Sequence, residues 1–226
     1  MTTIQMPEAA IFDMDGTLFK TETLLLPAYH RTFEQLRQEG LYEGDTPPEE
    51  RILSGLGMLL EEIWEKVIPG TSASCRRRAD ELLLEYQRQG LREGVGELYE
   101  GVQETLEELK RRGVRLFVAS NGLEAYVKEV AQYQGIAPLF EGLYSAGEYR
   151  TSSKVDLVRI LKEQHGVASG WMVGDRSSDV EAGKENGLLV VGCDYASFGK
   201  PEELSGADIR ITAFKELLTI DNPGRR

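Results

Sequence analysis

Two cysteines, two histidines and two tryptophans are all that the 226 residues hold of each. Cys75 and Cys193 form no C-x-x-C pair, so a structural zinc site is not expected. Free thiols far apart in sequence suit a reducing compartment, here the cytoplasm. No uninterrupted apolar stretch approaches the roughly 20 residues a helix needs to cross a bilayer, so no membrane partner is expected. Met1 to Pro7 lacks the basic region and long apolar stretch of a secretory signal. Basic charge is short as well: 26 Lys and Arg stand against 38 Asp and Glu, a formal net charge of -12. A nucleic-acid binder carries a basic stripe, and none is visible. The acidity also suits simple solubility. Internal repeats and low-complexity tracts are lacking too.

What is present is an ordinary core and an alternating pattern. The 41% hydrophobic content is enough for packing, and the length suits one large or two small domains. Ala9 to Phe12 is an apolar run, read within a strand from Glu8 to Asp15. From about Glu22 to Gln89 the periodicity is helical throughout: Leu25, Tyr29, Phe33 and Leu36; then Leu59, Ile63 and Val67; then Leu83 and Tyr86. Pro47-Pro48 and Pro69-Gly70 break this stretch into several helices, and Gly90, Gly94, Gly96 and Gly101 dot the connector behind it.

Beyond Gly101, helices and strands alternate. Val102, Leu106 and Leu109 stripe a helix ended by Arg111, Arg112 and Gly113. Strands are expected at 114–119, 143–146, 171–173, 188–191 and 209–211. Helices are expected at 123–133, 155–164, 180–185 and 214–218. Such alternation predicts an α/β fold, a doubly wound and mostly parallel sheet with right-handed crossovers. The all-helical piece is then an insertion. The domains expected are a core of residues 1–20 and 91–226 and a cap of residues 21–90.

Three apolar strands end in polar residues: Asp13 and Asp15, Ser120 and Asn121, Asp175 and Asp179. In a doubly wound sheet those ends meet at one edge, where ligands bind. An acidic turn or a helix cap is the bland reading of one D-x-D alone. Several carboxylates together repel and raise one another's pKa unless a cation intervenes. A hard divalent ion with oxygen ligands answers this, and magnesium (Mg²⁺) fits, with a phosphate oxygen completing its shell. A carboxylate beside it can attack phosphorus, and a second can serve as acid and then base. Ser120 and the amide of Asn121, at a strand-to-helix turn, suit phosphate oxygens; Ser120 as a plain N-cap is the alternative. Asp179 reads as well as a first-turn helix acid. Lys154 is the cation available to balance charge.

These motifs resemble the haloacid dehalogenase superfamily, on its phosphatase side. D-x-D-G-T is Asp13 to Thr17. The second motif is Val118-Ala119-Ser120-Asn121, the third Lys154, and G-D-x-x-x-D runs from Gly174 to Asp179. The resemblance covers nearly the whole chain. It implies a phosphoric monoester hydrolase acting on a small phosphorylated metabolite, phosphoglycolate-like compounds first, through an aspartyl-phosphate. It implies Asp13 as nucleophile and Asp15 as acid and base. Mg²⁺ is then held by Asp13, by the main-chain carbonyl of Asp15 and by Asp175, with Asp179 ligating directly or through water, and the phosphoryl group by Ser120, Asn121 and Lys154. The helical insertion resembles a mobile cap.

Departures are visible. Lys154 precedes Val155 where relatives often have proline, and Arg150 competes for its role. Lys20 stands where many relatives have an acidic or small residue. Related sugar mutases carry a cap-hinge histidine at the position of Leu25, which weakens that alternative. A phospho-acceptor signalling domain is a second alternative, with its accepting aspartate on a later strand and no helical insertion. A true dehalogenase is disfavoured by Asp15. Ser54-Gly55-Leu56-Gly57 reads as a substrate-facing cap loop or as a plain helix junction. Arg76, Arg77 and Arg78 read as a solvated face, His30 and His165 as surface or packing residues, and Trp64 and Trp171 as core.

Overall fold

The fold is built on an uninterrupted apolar strand, Ala9–Phe12, whose four residues are all buried. A strand covered on both faces carries such a run instead of an alternating one. The computed structural model describes residues 6–56 and 60–220. In chain order the elements are β1 (Ala9–Phe12), β2 (Phe19–Lys20), α1 (Thr21–Gln38), α2 (Glu49–Leu53), α3 (Leu60–Val67), α4 (Ala73–Arg92) and β3 (Glu97–Leu98). There follow α5 (Val102–Arg111), β4 (Arg115–Ser120), α6 (Glu124–Tyr133), β5 (Gly142–Ser145), α7 (Ala146–Tyr149), α8 (Lys154–His165), β6 (Gly170–Gly174), α9 (Ser177–Glu185), β7 (Leu189–Cys193) and β8 (Ile209–Ile211). Three 3-10 segments lie at Ala137–Leu139, Pro201–Leu204 and Phe214–Thr219.

The chain divides into two compact units. One holds residues through Phe19 together with Leu98 onward; the other is Lys20–Glu97.

In the first unit a six-stranded sheet runs in the order β5-β4-β1-β6-β7-β8, with every neighbouring pair parallel. The expected α/β class is therefore what the chain adopts. Chain order reverses at β1: the next core strand, β4, lies on one side and β6 on the other. Phe12 is level with Val118 of β4 and with Val173 of β6, so the residues just past three central strands share one edge. Such a switch point is where open α/β sheets bind ligands. One face packs Ile11, Phe117 and Met172 against Leu157, Val158 and Leu161 of α8. On β1, Phe12 meets the rings of Phe214 at 5.7 Å and Phe140 at 6.3 Å.

The second unit packs its helices around Phe33. That ring lies 4.9 Å from Tyr29, 5.0 Å from Tyr42 and 6.4 Å from Trp64, and Trp64 donates to Asp80 at 3.2 Å.

Several local expectations need correction. Gly90 does not end a helix: α4 continues to Arg92, and a Cβ at Gly90 would sit 2.9 Å from Leu24 Cδ1. This glycine makes room for a neighbouring helix, and the two compact units divide at 97/98. The first strand stops at Phe12 because the chain turns, with Gly16 at φ 80°. The terminal helix is a 3-10 segment. Leu59 and Gly57, parts of an expected stripe and loop, lie outside the described residues.

Candidate active site

Asp13 follows the last residue of β1, and its amide donates to Val173 O of β6 at 2.9 Å. The next residues turn sharply. Met14 O accepts from the amides of Leu18 at 3.0 Å and Phe19 at 2.9 Å, and Gly16 N donates to Phe19 O at 3.0 Å. Gly16 is needed twice over. Its φ is positive, and a Cβ there would lie 2.4 Å from Asp175 Oδ2. Gly174 is needed for space: a Cβ would lie 2.2 Å from Asp179 Oδ2. Both motif glycines thus let the backbone close on a carboxylate.

Asp13, Asp175 and Asp179 are buried, and one oxygen from each lies within 4.8 Å of the others. Lys154 is buried with them. Its Nζ is 2.8 Å from Asp13 Oδ1 and 2.6 Å from Asp179 Oδ1. The lysine is held there by the start of α8, where Ser153 Oγ accepts from Asp156 N at 3.1 Å. Asp179 Oδ2 accepts from Arg176 N at 3.0 Å. Thr17 Oγ1 donates to Asp175 Oδ1 at 3.1 Å. The other oxygen, Asp175 Oδ2, is buried without a hydrogen-bond partner among the described residues; the nearest cation is Arg176 Nε at 3.5 Å, itself committed to Glu203 through Nη1 at 2.7 Å.

The electrostatics follow from burial and crowding. Burial first, then the charges of Asp13 and Asp179, push the Asp175 carboxyl well above its usual range. Burial raises Asp179 to about 6, against the pull of Lys154. For Lys154 burial favours the neutral amine, but the charges of Asp13 and Asp179 prevail and hold its pKa above the usual value. Three carboxylates thus face one ammonium. An orphaned carboxylate oxygen within an all-oxygen donor set fits a hard divalent cation.

Other expected residues are placed differently. Asp15 is not among the carboxylates that converge; its Oδ1 accepts from Tyr126 Oη at 2.6 Å. Ser120 is buried at the tip of β4, next to β1 in the sheet, and its Oγ accepts from Gly122 N at 3.1 Å. The Asn121 side chain is exposed. Arg150 adopts the left-handed conformation, φ 52°, just after α7, and it is Lys154 that reaches Asp13 and Asp179. Two contributors had no assigned role in the sequence reading, Thr17 and Tyr126. Thr17 could have been found from its place in the first motif; no spacing rule marks Tyr126.

A parallel sheet with a buried acidic cluster at its switch point, and a helical unit inserted after the first strand, define a Rossmann-like α/β core. Residues 10–193 match the family of haloacid dehalogenase-like hydrolases, and the chain belongs to it. Pyrophosphatase PpaX of Bacillus velezensis is 28% identical over 199 residues, 84% of this chain and 85% of that protein. Phosphoglycolate phosphatase of Vibrio parahaemolyticus is 27% identical over 217 residues, 92% of this chain and 93% of that protein. Among solved structures, CbbY from Rhodobacter sphaeroides in complex with phosphate superposes with a TM-score of 0.77 at 25% identity, covering 94% of this chain and 96% of that one.

Proposed function

We propose that this enzyme is a Mg²⁺-dependent phosphatase that hydrolyses a small phosphorylated metabolite in the cytoplasm. The observation that carries the reading is the meeting of Asp13, Asp175 and Asp179 within 4.8 Å, with Lys154 bridging two of them. The named relatives, a pyrophosphatase and a phosphoglycolate phosphatase, favour small phosphate compounds. None of the described helices is long and apolar enough to cross a membrane.

In this reading a carboxylate oxygen of Asp13 attacks phosphorus, and the bond from phosphorus to the leaving oxygen breaks. Asp15 gives its proton to that oxygen. Water then attacks the aspartyl-phosphate, Asp15 takes up a proton from it, and Asp13 is released with inorganic phosphate. Lys154 pairs with Asp13 and with the transferred phosphoryl oxygens, and Ser120 with the amide of Asn121 binds the remaining ones. Asp13, Asp175, Asp179 and the main-chain carbonyl of Asp15 are the groups assigned to hold Mg²⁺, which supplies charge neutralisation for the phosphoryl oxygens. Residues 21–90, the inserted cap of the sequence reading, are assigned the choice of substrate.

A panel of phosphorylated metabolites, with phosphoglycolate and pyrophosphate included, tests this with Mg²⁺ and with EDTA. Turnover is expected only with metal, and Asp13→Asn is expected to abolish it for p-nitrophenyl phosphate as well. Undiminished activity in Asp13→Asn would overturn the nucleophile assignment; a stable phosphoprotein without turnover would favour a phospho-acceptor instead.

A further inference from the structure

We infer that Tyr126 is a positioning residue for Asp15, holding the carboxylate that transfers the proton at the angle the leaving oxygen requires. The inference rests on the phosphatase reading above. Its starting point is a separation of roles. Lys154 holds Asp13 and Asp179 and Thr17 holds Asp175, whereas the Asp15 carboxylate lies outside that group. Its aim must be set by other contacts. Tyr126 Oη donates to Asp15 Oδ1 at 2.6 Å, at the short end of the range for a hydroxyl donor.

Both ends of this bond are anchored. The Asp15 backbone sits in the tight turn closed by Met14 O and by the Gly16–Phe19 hydrogen bond, and Asp15 itself bridges Phe19. The Tyr126 ring is buried, on a face of α6 that also buries Val127, Val130 and Ala131. A Cβ at Gly122 would lie 3.3 Å from Tyr126 Cδ1 and 3.4 Å from Ser120 Oγ. Ser120, the last residue of β4, and Tyr126, in the first turn of α6, flank the same short turn. One strand-to-helix junction thereby fixes a proposed phosphate ligand and the proton donor relative to each other. Small errors in such an angle are costly to the rate even when every group is present.

Asp15 Oδ1 accepts the phenol hydrogen, so the transferable proton rides on Oδ2. It passes to the leaving oxygen as the phosphorus–oxygen bond breaks, while Tyr126 keeps its own hydrogen. Water later returns a proton to Asp15, and no further reactant is consumed.

The test compares kcat/KM for two substrates in Tyr126→Phe and Asp15→Asn. One is 2,4-dinitrophenyl phosphate, whose leaving phenolate needs no proton. The other is the best alkyl monoester from the metabolite panel, whose alkoxide does. Tyr126→Phe keeps the ring and its packing, and thermal unfolding checks that it folds. It should lower kcat/KM for the alkyl ester by about 10- to 100-fold and leave the dinitrophenyl ester within about threefold. A merely structural role would lower both alike, and that result, or no loss on either, overturns the inference. Asp15→Asn separates the two readings. If it shows the same selectivity, more strongly, while Tyr126→Phe shows none, only the positioning role falls. If Asp15→Asn shows no selectivity, the acid assignment fails and the inference fails with it.

Discussion

Thr17 Oγ1 donates to Asp175 Oδ1 at 3.1 Å, tying the loop after β1 to the tip of β6 across 158 positions of sequence. Both residues are buried, and this hydrogen bond orients Asp175, whose second oxygen has no hydrogen-bond partner among the described residues and only the Arg176 guanidinium at 3.5 Å. Removing a group that orients a metal ligand typically costs about 10- to 100-fold in metal affinity or activity. Thr17→Val, close in shape, should therefore raise the Mg²⁺ concentration needed for half-maximal activity by about 10-fold or more, with little change in the fold. A metal titration of activity beside circular dichroism checks this; an unchanged titration would deny Thr17 that role.

Lys154 has a different importance, because it is a fully buried charge between two others. Removing one member of such a set leaves uncompensated carboxylates in a dry interior, which costs about 3–5 kcal/mol. Lys154→Met should lose stability of that order in urea unfolding without metal, and it should recover part of the loss when Mg²⁺ is added. Equal stability to the parent protein would mean that the acids shed their charge by protonation instead.

Those two residues also mark how far the sequence could be read. Alternating apolar strands and helices dictated parallel strands whose carboxyl ends share an edge, so the approach of Asp13, Ser120 and Asp175 toward one edge was legible from strand tips alone. Lys154 was legible as the cation such a cluster needs and from its place in the motif order. The direction of a side chain was not. Asp15, two positions from Asp13, faces a tyrosine more than 100 residues away. No periodicity encodes such a contact. Gly90 misled for a similar reason. A glycine that clears space for Leu24 inside a helix has the same letter as one that stops a helix. Strands of two residues, such as β2 and β3, are too short for any periodic signal.

In the helical unit, Arg78 grips Glu39 with Nη2 at 2.8 Å and Nε at 2.9 Å. This contact, with Gln35 adding a second donor, holds the Glu39 carboxyl at about 2, below its ordinary 4.5. A depressed carboxylate pKa contributes stability that is fully present above the ordinary value and is lost as pH falls through the folded one. The contribution is modest, since the pair is partly solvated and screened by salt. Glu39→Gln should therefore be less stable than the parent above pH 4.5 and indistinguishable from it near pH 2. Urea unfolding followed by helix ellipticity at several pH values measures it; a difference that persists at pH 2 would assign the effect to packing.

Asp175 has the opposite sign. Burial and the neighbouring carboxylates raise its pKa, so its ionised form is disfavoured in the folded protein. A group shifted this way favours folding when protonated, below its unfolded pKa, and that advantage is lost as pH rises through the folded value. At neutral pH, without metal, the Asp175 charge is therefore a burden on the fold, with one oxygen buried and unbonded. Asp175→Asn should melt higher than the parent in EDTA at pH 7, by about 2–4 °C for each kcal/mol relieved in a chain of this size. Ligand linkage makes a second demand. Mg²⁺ stabilises only a protein that binds it, so the parent should gain melting temperature on titration and Asp175→Asn should gain far less. The two curves should cross as metal is added. Parallel curves would remove Asp175 from the metal site, and a lower melting temperature for Asp175→Asn in EDTA would show that its charge is already well compensated by Arg176 and Lys154.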